Sequence, residues 1–158
     1  MGRRQTEQNS FIRDNFSEIW PVHLAAFTRL LTKLRARFDD DLDLLLIMAV
    51  IGERTRPESW APELLTYRQL TNASDDRNLQ LPINIQSLAD YTGIPRETVR
   101  RKVSVLEQKG WIARDSNGRL SVSRTASLDL EDATRDSLIY LDALREVFQS
   151  QNGEEQGL

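Results

Sequence analysis

The sequence predicts a mainly α-helical fold that contains one small β-hairpin. Three features of residues 86–123 indicate this fold. Gly93 and Pro95 separate two helical stretches, apolar residues of the second stretch recur at helical spacing, and Asn117-Gly118 lies between two short strand-like runs. A helix, a tight turn, a second helix and a hairpin, in that order, form the pattern of a winged helix-turn-helix.

A long helix is predicted ahead of this motif, between Phe11 and Phe38. It carries large apolar side chains on more than one side, with Ser17 as a candidate cap and Pro21 near its first turn. A helix that is apolar beyond one stripe must bury two faces. We therefore expect it to pack against a second copy of the chain as well as its own core.

An acidic run, Asp39–Asp41 with Asp43, precedes the next helix. A divalent-cation site is one interpretation, but no further carboxylate or histidine lies nearby to complete a ligand shell. Carboxylates favour the positively polarised start of a helix, so the run is better interpreted as a loop and an N-cap. The helix that follows, Leu42 to about Arg54, contains LLLIMAVI and is expected in the core.

The pattern is weaker between residues 55 and 81. Two prolines favour a loop, Glu63 to Leu70 favours a short helix, and residues 71–78 favour an exposed loop. Trp60 fits either a core position or an interface. Residues 82–85 are compatible with a short strand, which in winged helices commonly pairs with the wing.

A few residues specify the helix-turn-helix itself. Leu88 and the small Ala89 are predicted on the inner face of the first helix, where alanine permits close approach of the second. Gly93 lies where the first helix must end in a left-handed conformation, which glycine adopts with the least strain. Ile94 fills the turn, and Pro95 presets the backbone that enters the second helix.

The second helix, residues 96–109, is predicted to read DNA. Val99, Val103 and Leu106 form a stripe toward the core, which leaves polar side chains on the opposite face. A helix fits the major groove, where arginine can bind guanine and glutamate can accept from cytosine. The predicted base-reading residues are Arg96, Glu97, Arg100, Arg101 and Ser104. The predicted contacts of this helix or the wing to the DNA backbone are Thr98, Lys102, Gln108, Arg114 and Arg119.

The hairpin is predicted at residues 111–122, with Ile112, Leu120 and Val122 pointing inward. Helical spacing returns between Leu128 and Phe148, and this helix is expected to join the N-terminal helix in a dimer interface. The predicted organisation is a disordered tail (1–10), an N-terminal helical region that is part of one domain and of the dimer interface (11–81), the winged helix-turn-helix (82–124), a C-terminal helix (125–149) and a disordered tail (150–158).

Charge and composition narrow the function. The net charge is −3, but residues 96–124 hold eight basic and three acidic residues, so this segment carries +5 and the remainder −8. Such local asymmetry is typical of a nucleic-acid-binding surface. The chain has no cysteine, which excludes disulfides and thiolate chemistry and fits a reducing cytoplasm.

Membrane and enzyme functions are disfavoured. The longest apolar run, Leu44–Ile51, is far shorter than the roughly 20 residues that span a bilayer, and the polar N-terminus does not have the pattern of a secretory signal. His23 is the single histidine, and no catalytic or cofactor-binding motif is present. We therefore expect no enzyme activity, no metal and no cofactor.

The segment RETVRRKVSVLEQKGWI, residues 96–112, resembles the recognition helix and wing start of the cyclic-AMP receptor protein family of bacterial regulators. The shared pattern is RETVxR followed by a Leu-Glu pair, and the resemblance implies base contacts for Arg96, Glu97 and Arg101. Two departures are Pro95 in place of a Ser-type cap and Lys102 at a position that is normally apolar.

The N-terminal half does not resemble that family's nucleotide-binding β-barrel, so sensing of cyclic nucleotides is not expected. Helical flanks on both sides of a winged helix are similar to those of the MarR type of dimeric regulator. We expect a cytoplasmic, homodimeric bacterial transcription regulator that binds double-stranded DNA at a pseudo-palindromic operator. No residue argues specifically for a small-molecule effector.

The alternative is a winged helix that serves protein–protein contact, or plasmid replication or partition, because fold alone does not fix function. A protein-binding version would have little reason to carry Arg96, Arg100, Arg101 and Lys102 together.

Overall fold

The computed structural model describes residues 10–55 and 82–155, with side chains up to residue 153. The helices are α1 (Phe16–Arg37), α2 (Leu42–Arg54), α3 (Ile85–Thr92), α4 (Arg96–Gln108), α5 (Arg124–Asp129) and α6 (Glu131–Glu155), and the strands are β1 (Ile112–Arg114) and β2 (Leu120–Val122). The predicted mainly α fold with a hairpin is confirmed. Predictions for residues 1–9, 56–81 and 156–158 lie outside the described residues.

The chain divides into two compact units rather than the single domain expected. A central unit spans residues 35–131, and a terminal unit combines residues up to 34 with residues from 132 onward. The division differs from the predicted boundaries in one important respect. The helix α2, which was assigned to the N-terminal region, belongs to the central unit together with the helix-turn-helix.

The central unit is built around one apolar core. Helices α2, α3 and α4 pack around it, closed by the hairpin. The largest fully buried apolar side chains are Ile47, Ile51, Leu88, Val99, Val103, Leu106 and Leu120. The core positions predicted for the inner face of α4 are therefore confirmed. In the LLLIMAVI run five residues are buried, but Leu46 is 42% exposed and Ala49 is exposed, so the prediction holds for one face of α2.

The hairpin is antiparallel, with Ile112 opposite Val122 and Arg114 opposite Leu120. Asp115 organises its turn, because its carboxylate accepts hydrogen bonds from the backbone N–H groups of Asn117 (2.8 Å) and Arg119 (2.9 Å). Gly118 has a φ of 76°, the left-handed conformation that glycine permits. Ile83 forms an isolated bridge to Leu120, so pairing with the wing is confirmed at this residue. The short strand expected over residues 82–85 does not extend further, because Asn84 caps α3 and Ile85 begins it.

Two features of the helix ends differ from the predictions. Ser17 lies inside α1 rather than at its cap, and Pro21 also lies inside that helix. The C-terminal region forms two helices rather than one, because α5 ends at a C-cap, Leu130. The N–H of Leu130 donates to the carbonyl of Ala126 (2.8 Å). The second of them, α6, continues to Glu155, beyond the start of the predicted disordered tail.

The terminal unit pairs α1 with α6. Phe11 lies against Phe148, His23 Nδ1 is 2.9 Å from the Tyr140 hydroxyl, and Lys33 forms an ion pair with Asp136 (3.1 Å). Because the partners descend in number along α6 as they ascend along the N-terminal segment, the two run antiparallel. Among the described residues of this unit, Ile19 and Ala133 are the buried apolar side chains.

Candidate nucleic-acid interface

The helix α4 is placed by the turn that precedes it. Gly93 ends α3 with a φ of 73°, and its N–H donates to the carbonyl of Ala89 (2.9 Å). Ile94 is buried in the turn, and Pro95 occupies the N-cap of α4 without a side-chain cap. With the core stripe of α4 fully buried, the opposite face is directed to solvent. That face exposes Glu97, Arg101 and Gln108, while Arg100 is exposed on its flank and Arg96 in the first turn.

Two of the predicted base-reading residues are paired with each other. The Arg100 guanidinium donates to both carboxylate oxygens of Glu97, at 3.0 Å from Nε and 2.6 Å from Nη2. The hydrogen bond from Arg100 lowers the pKa of Glu97, and the same bond raises the pKa of Arg100. Glu97 is therefore held as a carboxylate, the form that accepts hydrogen bonds from cytosine N4. Both side chains are exposed, so the pair can open at little cost.

Arg96 and Arg101 are both exposed in the N-terminal half of α4. Arg96 lies exposed in the first turn of α4, and Arg101 makes only a long hydrogen bond of 3.4 Å to the Thr98 hydroxyl. Ser104 is half-buried, and its hydroxyl donates to the Arg100 carbonyl (3.1 Å). An acceptor lone pair of Ser104 stays open to a base or phosphate donor.

Lys102, which was predicted to contact the DNA backbone, forms an ion pair within the protein. Its ammonium group forms an ion pair with Asp41, and its side chain is largely buried at 20% exposure. Asp41 is the N-cap of α2 and accepts from the Leu44 N–H (2.9 Å). Burial alone would raise the pKa of Asp41, but the hydrogen bonds from Lys102 and Leu44 outweigh it and lower this pKa. Lys102 thus fastens α4 to α2, which explains a lysine where an apolar residue was expected.

Arg114 is likewise engaged within the protein. Its guanidinium donates to both carboxylate oxygens of Glu107, at 3.0 and 3.3 Å, and so ties β1 to α4. This pair fixes the wing relative to the helix. Arg119, the other cation predicted for the wing, is exposed and lies immediately before β2.

Arg119 borders an open cleft of about 620 Å³ that the sequence did not reveal. The cleft is also lined by Asn84 and Ser87, from the start of α3, and by Arg54, from the end of α2. The Arg54 guanidinium lies 5.7 Å from the centre of the Tyr91 ring, and its Nε is buried without a hydrogen-bond partner. No sequence pattern marks Arg54, because it follows a core helix and precedes a weakly patterned segment.

Two negative findings apply to residues 10–55 and 82–155. These stretches contain no group of acidic or histidine side chains that could hold a metal ion. Their helices also fall short of the length and apolarity required to cross a bilayer.

Comparison with known proteins agrees with this geometry. Residues 63–130 match the family model of the Crp-like helix-turn-helix domain. The nitrogen fixation regulation protein FixK of Bradyrhizobium diazoefficiens is 40% identical over 70 residues, which cover 42% of this chain and 29% of that protein. The transcriptional activator protein FnrL of Cereibacter sphaeroides is 32% identical over 96 residues, which cover 57% of this chain and 38% of that protein. No solved structure matches the chain.

The class defined by the fold and the site is a winged helix-turn-helix. More specifically, residues 63–130 are similar to the Crp-like helix-turn-helix domain, in agreement with the resemblance of residues 96–112. The matched stretches span about a third of the two relatives. The likeness of the helical flanks to the MarR type stays a prediction.

Proposed function

We propose that this protein is a homodimeric bacterial transcription regulator that binds double-stranded DNA at a pseudo-palindromic operator. The observation that carries the proposal is the exposed polar face of α4, with Arg96 and Arg101 at its N-terminal half, on a helix-turn-helix of the Crp-like type. The similarity to FixK, a nitrogen fixation regulation protein, and to FnrL, a transcriptional activator protein, supports a role in transcription.

In this proposal α4 enters the major groove with its N-terminal half toward the bases. Arg96 and Arg101 bind guanine edges, because a guanidinium matches the O6 and N7 acceptors of guanine. Glu97 and Arg100 exchange their mutual hydrogen bonds for contacts to a C·G step, the glutamate accepting from cytosine N4. Ser104 and Thr98 have short side chains, so their hydroxyl groups form hydrogen bonds only with DNA groups that lie close to α4.

Contacts to the DNA backbone come from a different part of the central unit. When the second helix of the motif lies in the groove, the first helix crosses the backbone. Arg119 of the wing and Arg54 flank the start of α3 across the open cleft and supply positive charge along that line. These contacts add affinity and salt dependence without sequence information. Lys102 and Arg114 act in this scheme by holding α4 and the wing in position.

The homodimer and the symmetric operator belong to the same proposal. A two-fold dimer places two recognition helices in successive major grooves, roughly 34 Å apart, so the operator carries an inverted repeat. A role on DNA implies a cytoplasmic location. We infer no enzymatic activity, in keeping with regulators of the Crp type, and we assign neither an effector nor a direction of regulation.

The test is selection of the full-length protein on a randomised duplex library at two salt concentrations. Enrichment of an inverted repeat with half-sites one helical turn apart is the expected result. Salt-sensitive binding without enrichment would replace the specific regulator with an architectural or replication role. Absence of binding at low salt would favour the protein-contact alternative.

A further inference from the structure

We infer that one face of the terminal unit is the surface on which two copies of this chain associate through helices α1 and α6. The inference rests on the proposed function, since it names the dimer interface of the proposed regulator. The observation behind it is that the terminal unit exposes more large apolar side chains than it buries. Helices of 22 and 25 residues bury two apolar side chains among the described residues, while several large ones remain exposed.

The exposed apolar residues of α1 follow one another at intervals of four, four and three residues. They are Phe16, Trp20, Leu24 and Phe27, which are 51%, 44%, 46% and 41% exposed. At 3.6 residues per turn this spacing places them on one side of the helix. Phe16 and Trp20 stack at 5.3 Å between ring centres, so the stripe is already ordered before a partner arrives.

The helix α6 extends the same face. Leu138 and Leu141 are each 56% exposed and lie one turn apart. Because α6 runs antiparallel to α1 and meets it through Ala133, Asp136 and Tyr140, these leucines fall on the side of the pair that carries the α1 stripe. We call the six residues the apolar face: Phe16, Trp20, Leu24, Phe27, Leu138 and Leu141.

The size of the apolar face fits a second copy. An aromatic side chain buries about 150–250 Å² when fully covered, so six large side chains at about half exposure offer roughly 500–600 Å² per copy. Two such faces together approach about 1,200 Å², the lower end of a stable interface before any polar rim is counted. None of the six residues is charged, so two copies of the apolar face can meet about a two-fold axis without repulsion between them. Arg145, paired with Asp142, lies one turn beyond Leu141 at the edge of this face.

His23 and Tyr140 brace the edge of this face. The histidine ring lies between Trp20 (5.0 Å) and Phe27 (5.5 Å), and its Nδ1 is 2.9 Å from the Tyr140 hydroxyl. This bond joins α1 to α6 beside the stripe. The aromatic side chains of α1 are therefore held in a fixed arrangement, which reduces the ordering cost of association.

The experiment measures the mass of the full chain by sedimentation at micromolar concentration. It compares the unmodified protein with four variants, Trp20→Glu, Leu24→Glu, Ala25→Glu and Leu46→Glu. Trp20→Glu and Leu24→Glu place a charge within the apolar face and are expected to raise the dimer dissociation constant by on the order of 100-fold. Ala25→Glu is the matched control, because Ala25 is exposed on the far side of α1 and should leave the dimer intact. Far-UV circular dichroism verifies that all variants keep their helices.

Several outcomes would overturn the inference. They are a monomeric unmodified protein, a dimer that survives both glutamate substitutions, and equal dissociation by Ala25→Glu. Dissociation by Leu46→Glu instead would move the interface to the exposed side of α2 in the central unit. The result is separable from the proposed function: the Trp20→Glu monomer should still bind a single half-site with unchanged base preference, whereas failure of DNA binding in every variant would affect the function alone.

Discussion

The central and terminal units are both built mainly from helices with apolar side chains, but they differ in how many of those side chains they bury. The central unit gathers seventeen described apolar residues into one core, and several of its side chains are fully buried. The terminal unit pairs the two longest described helices, yet Ile19 and Ala133 are its buried apolar residues in the described ranges. Most helix stability in proteins comes from packing of an apolar face. The described helices of the central unit bury such faces in their own core, whereas α1 and α6 leave large apolar side chains exposed.

The two units also differ in what their polar side chains do. In the central unit, ion pairs fasten elements to one another: Lys102 joins α4 to α2, and Arg114 joins the wing to α4. These pairs leave Arg96, Arg101 and Arg119 as cations for a ligand. In the terminal unit, α1 and α6 expose large apolar side chains. The chain thus separates a charged surface suited to DNA from an apolar surface suited to protein.

The largest expected effect comes from emptying the core of the central unit. Leu106→Ala should lower the free energy of unfolding by about 2–5 kcal/mol, because Leu106 is fully buried and its removal leaves a cavity. The same deletion at Leu24, on the apolar face of the terminal unit, should cost less than about 0.5 kcal/mol. Urea denaturation in a Trp20→Glu background measures both without a contribution from association. Equal losses would show that the terminal unit is as well packed as the central one.

The next effect concerns the charged surface. Arg101→Ala should weaken binding to the selected operator by about 1–3 kcal/mol and relax base choice at one position, since the guanidinium reads a base. Arg145→Ala is the control, because Arg145 is an exposed arginine on α6, paired with Asp142. Titrations against operator and random duplex decide the matter. A loss of the same size on both DNAs would assign Arg101 to the backbone.

Asp41 tests the joint between α2 and α4. Asp41→Ala removes an N-cap and the partner of Lys102 and should cost about 1 kcal/mol of unfolding free energy, whereas Asp41→Asn keeps a capping oxygen and should cost less. The pKa of Asp41 is lowered in the folded protein, so its ionic contribution is present above its unfolded value of about 3.9 and is lost as pH falls through the folded value.

The difference in stability between the native protein and Asp41→Asn should therefore be full at neutral pH and should shrink on acidification below about pH 4. Urea denaturation at pH 7 and near pH 3 measures it. A difference that grows on acidification would contradict the ion pair with Lys102 as its source.

The fold of the helix-turn-helix and wing could be predicted from the sequence because the residues that determine it act locally. Gly93, the Val99-Val103-Leu106 stripe and the Asn117-Gly118 turn each specify a conformation within a few residues, and the structure has all three. The pairing of Lys102 with Asp41 could not be predicted from local sequence patterns, since 61 positions separate the two residues along the chain. The sequence also showed that α1 carries more apolar side chains than one face can hold. It did not show that α2 belongs to the central unit, because that assignment depends on long-range packing.

The smallest expected effect distinguishes backbone contacts from base contacts within the central unit. If Arg54 and Arg119 each neutralise one phosphate, Arg54→Ala and Arg119→Ala should each reduce the slope of log affinity against log salt by about 0.9. Base preference should stay the same, because phosphates carry no sequence information. Arg135→Ala on α6, in the terminal unit, serves as the control for loss of one positive charge. An unchanged slope for Arg54→Ala, with a reduced one for Arg119→Ala, would confine the backbone contact to the wing. The buried Nε of Arg54 would then be explained by its position against Tyr91 rather than by DNA.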